Sequence, residues 1–187
     1  MRYWLDTEFI EDGKAIDLIS IGIVAEDGRE YYAVSKDFNR AKLFENPWLI
    51  KNVVPSLPFH KVKPGMPWAY NNFDEAYDDL TNGTRTWQFR QDIAQDIKEF
   101  CDIQKYGAPE FWGYYADYDW VVFCWLFGNM MDLPNGFPMY CRDIKQWCDE
   151  LGNPKLPEQG KGEHHALSDA KWARDAYHFL KQLQGAS

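Results

Sequence analysis

Two acids stand two residues apart in the opening run MRYWLDTEF, Asp6 and Glu8. On an extended strand side chains alternate, so both project from one sheet face while Leu5, Thr7 and Phe9 point to the other. Paired carboxylates in a central strand are destabilised by desolvation and mutual repulsion unless a cation or a shared proton relieves them. A divalent ion is the economical relief. The plain alternative is a frayed or edge strand with both acids solvated.

Further acids join the pair. In HHALSDA, Asp169 falls on the apolar stripe formed by Ala166, Ala170, Ala173, Ala176, Tyr177, Leu180 and Leu183. A purely structural helix would place no acid there, although near an N-terminus it also complements the helix dipole. His164 lies five residues earlier, roughly 140° around a continuous helix, so the two converge only if His164 precedes the helix. An imidazole titrating near ~6.5 beside a metal-bound acid suits a general base. His165 is its rival, and a His-His pair could equally ligate zinc or decorate a surface. In GYYADYDWVVF, Asp117 would cap a helix and Asp119 would sit in its first turn, and capping is the default for either alone. Both stay candidates.

These residues need elements to bring them together. Residues 2 to 9, 16 to 25 and 28 to 34 carry strand signals, with Ile19, Ile21 and Ile23 alternating and Glu-Asp-Gly forming a turn between the second and third runs. An antiparallel meander is expected to open the fold. Residues 36 to 86 read as a long irregular insertion holding Pro47, Pro55, Pro58, Pro64 and Pro67, with short helices near Trp48 and Phe73; so long a connection usually has a job. Residues 87 to 103 repeat apolar groups at helical spacing, namely Phe89, Ile93, Ile97, Phe100 and Cys101. Glu110 to Tyr115 then reads as a strand leading into a buried helix, and Pro138 to Asp143 with its following helix repeats that order. After the Gly/Pro-rich loop 152 to 163, a last helix spans about 166 to 183.

At 187 residues the chain fits one domain able to bury a core without disulfides. The 45% hydrophobic content excludes a disordered tail. A net charge of -9 argues against a domain that grips long duplex through basic residues, yet carboxylates loaded with divalent ions present positive charge to phosphate. Cys101, Cys124, Cys141 and Cys148 form no CxxC pair and read as free thiols, which suits a reducing cytoplasm. Acids by the sixth residue leave no apolar core for a signal peptide, and the longest uncharged apolar run, Trp120 to Met131, is too short to cross a bilayer. The expectation is a cytoplasmic protein.

In this order the three clusters, DTEF, YADYDWVVF and HHALSDA, resemble the DEDDh branch of the DnaQ-like, RNase H-fold exonucleases over nearly the whole chain. Members commonly carry Asn four residues before the second-motif aspartate, where this chain has Tyr115. The small adenylate-preferring exoribonuclease group known from mycobacteria, and a phage exonuclease branch, look most similar. The resemblance implies an α/β fold, an RNase H-like mixed sheet in which the opening meander is followed by β/α units, flanked by helices in a single domain over 1–187. It implies two magnesium ions, replaceable by manganese, held by Asp6, Glu8, Asp119 and Asp169, with His164 as general base. The implied substrate is the 3' end of single-stranded RNA, adenylate-rich ends included, cut to nucleoside 5'-monophosphates by a homodimer without membrane contact.

Thr7, Glu8, Phe9, Trp112, Tyr115 and His165 are the candidate substrate contacts, and Trp120 is a further flanking aromatic; stacked bases contribute about 1 to 3 kcal/mol each. Most such aromatics fill cores instead. Two other functions compete: a 3'-to-5' DNA exonuclease using the same acids, with single-stranded DNA as substrate, and a binding module that keeps the fold without catalysis.

Overall fold

The computed structural model describes residues 1–58, 85–160 and 162–186. β1 (Arg2–Glu11), β2 (Ile16–Ala25) and β3 (Glu30–Ser35) form the expected antiparallel meander. β4 (Trp87–Gln88) adds a parallel edge beside β3, and β5 (Glu110–Gly113) and β6 (Arg142–Asp143) extend the other side in parallel. The order β4-β3-β2-β1-β5-β6 makes one mixed six-stranded sheet, RNase H-like in its β3-β2-β1-β5-β6 part. β1 sits at its centre, so a pair of acids there is not an edge feature.

The helices are α1 (Arg40–Glu45), α2 (Pro47–Asn52), α3 (Arg90–Phe100), α4 (Ile103–Tyr106), α5 (Asp117–Trp125), α6 (Ile144–Glu150) and α7 (Ala166–Ala186). They cover both sheet faces. Tyr3 and Leu5 of β1 pack with Ile93 and Ile97 of α3 and Trp120 and Phe123 of α5. Trp4, on the alternate face, packs with Ile144 and Cys148 of α6 and Ala173, Ala176, Tyr177 and Leu180 of α7. Small alanines on α7 let the helix lie close against the sheet.

Several boundaries differ from the sequence reading. Residues 36 to 58 are not irregular: α1 and α2 bury Leu43 and Leu49 in a second core with Ile19, Val34 and Trp87. Asn39 caps α1, and Asn46 caps α2 with Pro47 at its first position, a local signal outweighed by the proline count. The helix expected near Phe73 lies outside the described residues. Trp87 and Gln88 are strand because Val34 and Ser35 offer free ladder positions; α3 therefore starts at Arg90, leaving Phe89 exposed before it. The strand expected from Pro138 shrinks to Arg142–Asp143. Leu183, near the end of α7, is 38% exposed and outside the core. All four cysteines are free thiols. Among the described residues no helix is long and apolar enough to cross a membrane.

Candidate active site

Asp6 pairs with Gly22 across the β1–β2 ladder, and Glu8 with Ser20, before a register shift between Glu8 and Phe9. Both acids share the α7 face, as the strand alternation requires. Gly22 has no side chain to keep α7 away: a Cβ built there would lie 2.3 Å from the Leu167 backbone nitrogen and 2.4 Å from the Ala166 carbonyl carbon. The first turn of α7 therefore rests on bare strand. That contact brings Asp169 towards Asp6.

Asp169 is held at both carboxylate oxygens. Gln159 Nε2 donates to Oδ1 at 2.6 Å, and the backbone N–H of His164 donates to Oδ2 at 2.9 Å. His164 lies before the helix, as convergence demanded, in a left-handed conformation with φ 66°. Glu8, His164 and Asp169 each bring one ligand atom to within 4.8 Å of the others. Asp6, Tyr114, Gln159, Glu163 and Trp172 join His164 and Asp169 around a cavity of about 140 Å³.

The second-motif acid arrives from the other layer. β5 ends at Gly113, where the chain turns through Ala116 into α5. Beyond that point Thr7 has no strand partner on this side. Its N–H donates instead to Asp119 Oδ1 at 2.8 Å, and its hydroxyl donates to the same oxygen at 2.5 Å. Asp119 is 7% exposed, whereas Asp117 is exposed and lines a separate hollow with Tyr115, Asp143 and Gln146. The geometry therefore joins Asp119, not Asp117, to the cluster.

The four acids feel one another. Burial first, then the charges of Asp119, Glu8 and Asp169, holds Asp6 well above the usual carboxylate range. Glu8 is pushed up to about 8 by burial and then by Asp169 and Asp119. Burial lifts Asp119 to about 6 against the pull of its two Thr7 hydrogen bonds. Asp169 is raised by burial and restrained by the donors from His164 and Gln159. Among the described residues no Lys or Arg forms an ion pair with any of the four. Carboxylate oxygens, crowded and short of positive charge, fit a divalent cation.

The other sequence candidates are dispersed. His165 stacks on Tyr32 at 4.5 Å and 21°, its Nδ1 facing the Ser168 N–H at 3.4 Å, and its carbonyl accepts from Ser168 and Asp169 at the start of α7. It anchors the helix rather than joining Glu8. Phe9 meets Tyr118 edge-on at 5.9 Å, beside the acids but on the α5 face. Tyr115 is exposed with φ 55°, against Tyr114. Trp112 packs against Trp147 and Tyr177 and donates its indole N–H to Glu110. It lines a larger groove of about 470 Å³ that shares no residue with the acid-lined cavity. Trp120 is core, stacked on Phe123 at 4.9 Å.

Gln159, Tyr114, Trp172 and Trp48 were not singled out from the sequence. Trp172 holds the loop by donating to Pro157 O at 3.0 Å. Trp48, 53% exposed on α2, meets the His164 ring edge-on at 4.8 Å. The one advance signal for Trp48 was that an insertion of this length tends to carry function.

A mixed α/β sheet that gathers carboxylates from one strand and two helices makes an acidic site suited to a divalent cation. The family model described as the 3'-5' exoribonuclease Rv2179c-like domain matches residues 1–180, and the chain belongs to that family. It is 39% identical over 171 residues to the 3'-5' exoribonuclease Rv2179c of Mycobacterium tuberculosis strain H37Rv, covering 91% of this chain and 88% of the relative. The 3'-5' exoribonuclease MT2234.1 of Mycobacterium tuberculosis strain CDC 1551 matches with the same identity and coverage.

Proposed function

We propose that this chain is a DEDDh-type 3'-to-5' exoribonuclease that hydrolyses the last phosphodiester bond of single-stranded RNA and releases a nucleoside 5'-monophosphate. The observation that carries the reading is the cluster of Glu8, His164 and Asp169, with Asp6 lining the same cavity and Asp119 bonded to Thr7 between the two strand acids. Family membership supplies the substrate class and the direction.

The four carboxylates would hold two magnesium ions, which when bound supply charge neutralisation and Lewis acidity at the phosphate. The His164 imidazole, beside the carboxylates of Glu8 and Asp169, takes a proton from the attacking water. Gln159 and the His164 N–H keep the Asp169 carboxylate from rotating. Thr7 does the same for Asp119. Trp48 offers an exposed ring face at the mouth of the site, where a terminal base could stack. A preference for adenylate-rich ends and a homodimeric assembly belong to the same reading and rest on the motif resemblance, and a cytoplasmic location rests on the four free thiols.

The test is to incubate pure protein with 5'-labelled RNA and DNA oligomers of one sequence, with magnesium, manganese or a chelator. The reading expects a ladder shortening from the 3' end of RNA, mononucleotide release, and none with chelator. Shortening of DNA alone would overturn the ribonuclease assignment; binding without cleavage would overturn the enzyme.

A further inference from the structure

On the reading of His164 as the base, we propose that Ser56 is a positioning residue for the reaction, its hydroxyl holding the carbonyl of His164 so that the base-bearing loop stays turned onto Asp169. Ser56 ends a short 3-10 turn, Val54–Ser56, that follows α2. Its Oγ lies 2.6 Å from the His164 carbonyl oxygen, across 108 residues of chain, and 2.7 Å from the carbonyl of Val53. One hydroxyl carries one proton. The Val53 carbonyl already accepts the Ser56 backbone N–H at 2.9 Å, so its hydrogen bonding survives without the hydroxyl. Among the described residues the His164 carbonyl has no other donor.

His164 needs the restraint. At φ 66° it occupies the left-handed region, which disfavours any residue with a Cβ and persists only where surroundings impose it. Two bonds impose it here: the N–H of His164 is tied to Asp169 Oδ2, and its C=O to Ser56. With both ends of the residue fixed, the imidazole has few places to go, and one of its nitrogens lies within 4.8 Å of a carboxylate oxygen of Glu8 and of Asp169. Trp48, from the same segment, closes against the ring. Removing the Ser56 hydroxyl frees the carbonyl to turn towards solvent, since His164 is half-exposed. The backbone then relaxes and the imidazole leaves the acids, while Asp6, Glu8 and Asp119 keep their places. The segment that follows β3 thereby becomes a structural arm of the catalytic loop.

The experiment compares Ser56→Ala, Ser56→Thr and Ser56→Val in the full chain, using RNA cleavage, magnesium half-saturation and thermal melting. Ser56→Ala should lower kcat about 5- to 20-fold, as expected for one lost orienting hydrogen bond, with KM and the magnesium requirement within about twofold. Ser56→Thr should recover most of kcat and its isostere Ser56→Val should not, a contrast that decides the matter even if Ser56→Ala folds poorly. In the metal-free and RNA-free protein, nitrogen-15 spectra of the histidine rings should show the His164 signals shifted or broadened in Ser56→Ala and unchanged in Ser56→Thr. Adding Ser56→Ala to His164→Ala should reduce the residual rate no further. An unchanged kcat in Ser56→Ala, equal rates for the Thr and Val variants, or an undiminished loss in the His164→Ala background would each overturn the proposal. Full activity of His164→Ala would remove the base reading itself, and this inference with it; a dead His164→Ala with an intact Ser56→Ala would remove only the inference.

Discussion

Asp6 faces Gly22 across the ladder, and the space a side chain would fill at Gly22 is taken by the backbone of Ala166 and Leu167. The acid on the strand and the acid on α7 thus meet because one residue between them is missing a Cβ. Gly22→Ala should force the helix outward, destabilising the fold by about 1 to 3 kcal/mol as overpacked sites do. It should also weaken magnesium binding, which calorimetry would register. Gly185→Ala, with no atom within 4 Å of the added carbon, is the control; equal behaviour of the two would refute the account.

The acid cluster makes stability depend on pH in a definite direction. Glu8 rises from an ordinary 4.5 to about 8 in the folded chain, and Asp119 from 3.8 to about 6. The folded state therefore binds protons more tightly than the unfolded one, and the stability this adds is fully present below the unfolded values. It is lost as pH rises through about 6 and then about 8. The melting temperature of metal-free protein should accordingly fall between pH 4.5 and 8. Glu8→Gln should flatten that fall, and saturating magnesium should reverse it. A melting temperature that climbs across this window without metal would contradict the cluster's electrostatics.

Two aspartates compete for one role, and their surroundings separate them. Asp119→Asn should reduce cleavage by roughly 100-fold or more, as expected for loss of an ion-holding carboxylate, while Asp117→Asn should stay within about threefold. Thr7→Val removes the hydroxyl bond but leaves the backbone one, so about a tenfold loss is expected. Steady-state rates on a labelled oligomer decide all three.

The neighbouring histidines should part in the same way. His164→Ala should lower kcat by about 100- to 10,000-fold, the range for a lost general base. His165→Ala should lower the melting temperature instead, through its lost stack on Tyr32 worth about 0.5 to 1.5 kcal/mol. A catalytic collapse in His165→Ala with a stable fold would reverse the assignment.

The parts legible in advance were those governed by short-range rules. Alternation put Asp6 and Glu8 on one face, and the 3.6-residue period put Asp169 among alanines facing the sheet. The choice between Asp117 and Asp119 was not legible, because it depends on where β5 stops and leaves the Thr7 N–H without a strand partner. Gln159 and Ser56 were invisible for a related reason, and Trp48 had only the length of its insertion to mark it. Each meets the site through a contact between distant residues or across an irregular loop, and no period reports that. The side Trp112 would face was not legible either: an aromatic on a strand next to the second motif can face either layer, and this one packs, partly buried, against Tyr177 of α7.

Thr7 and its two neighbours hold the two helical layers to a single rim: Asp6 and Glu8 look towards α7, while Thr7 grips α5 through Asp119. Either layer loosening by an ångström or two would scatter the carboxylates long before the sheet itself came apart. Loss of activity on warming should thus precede loss of secondary structure, and catalysis becomes the most sensitive gauge of how tightly this molecule is closed.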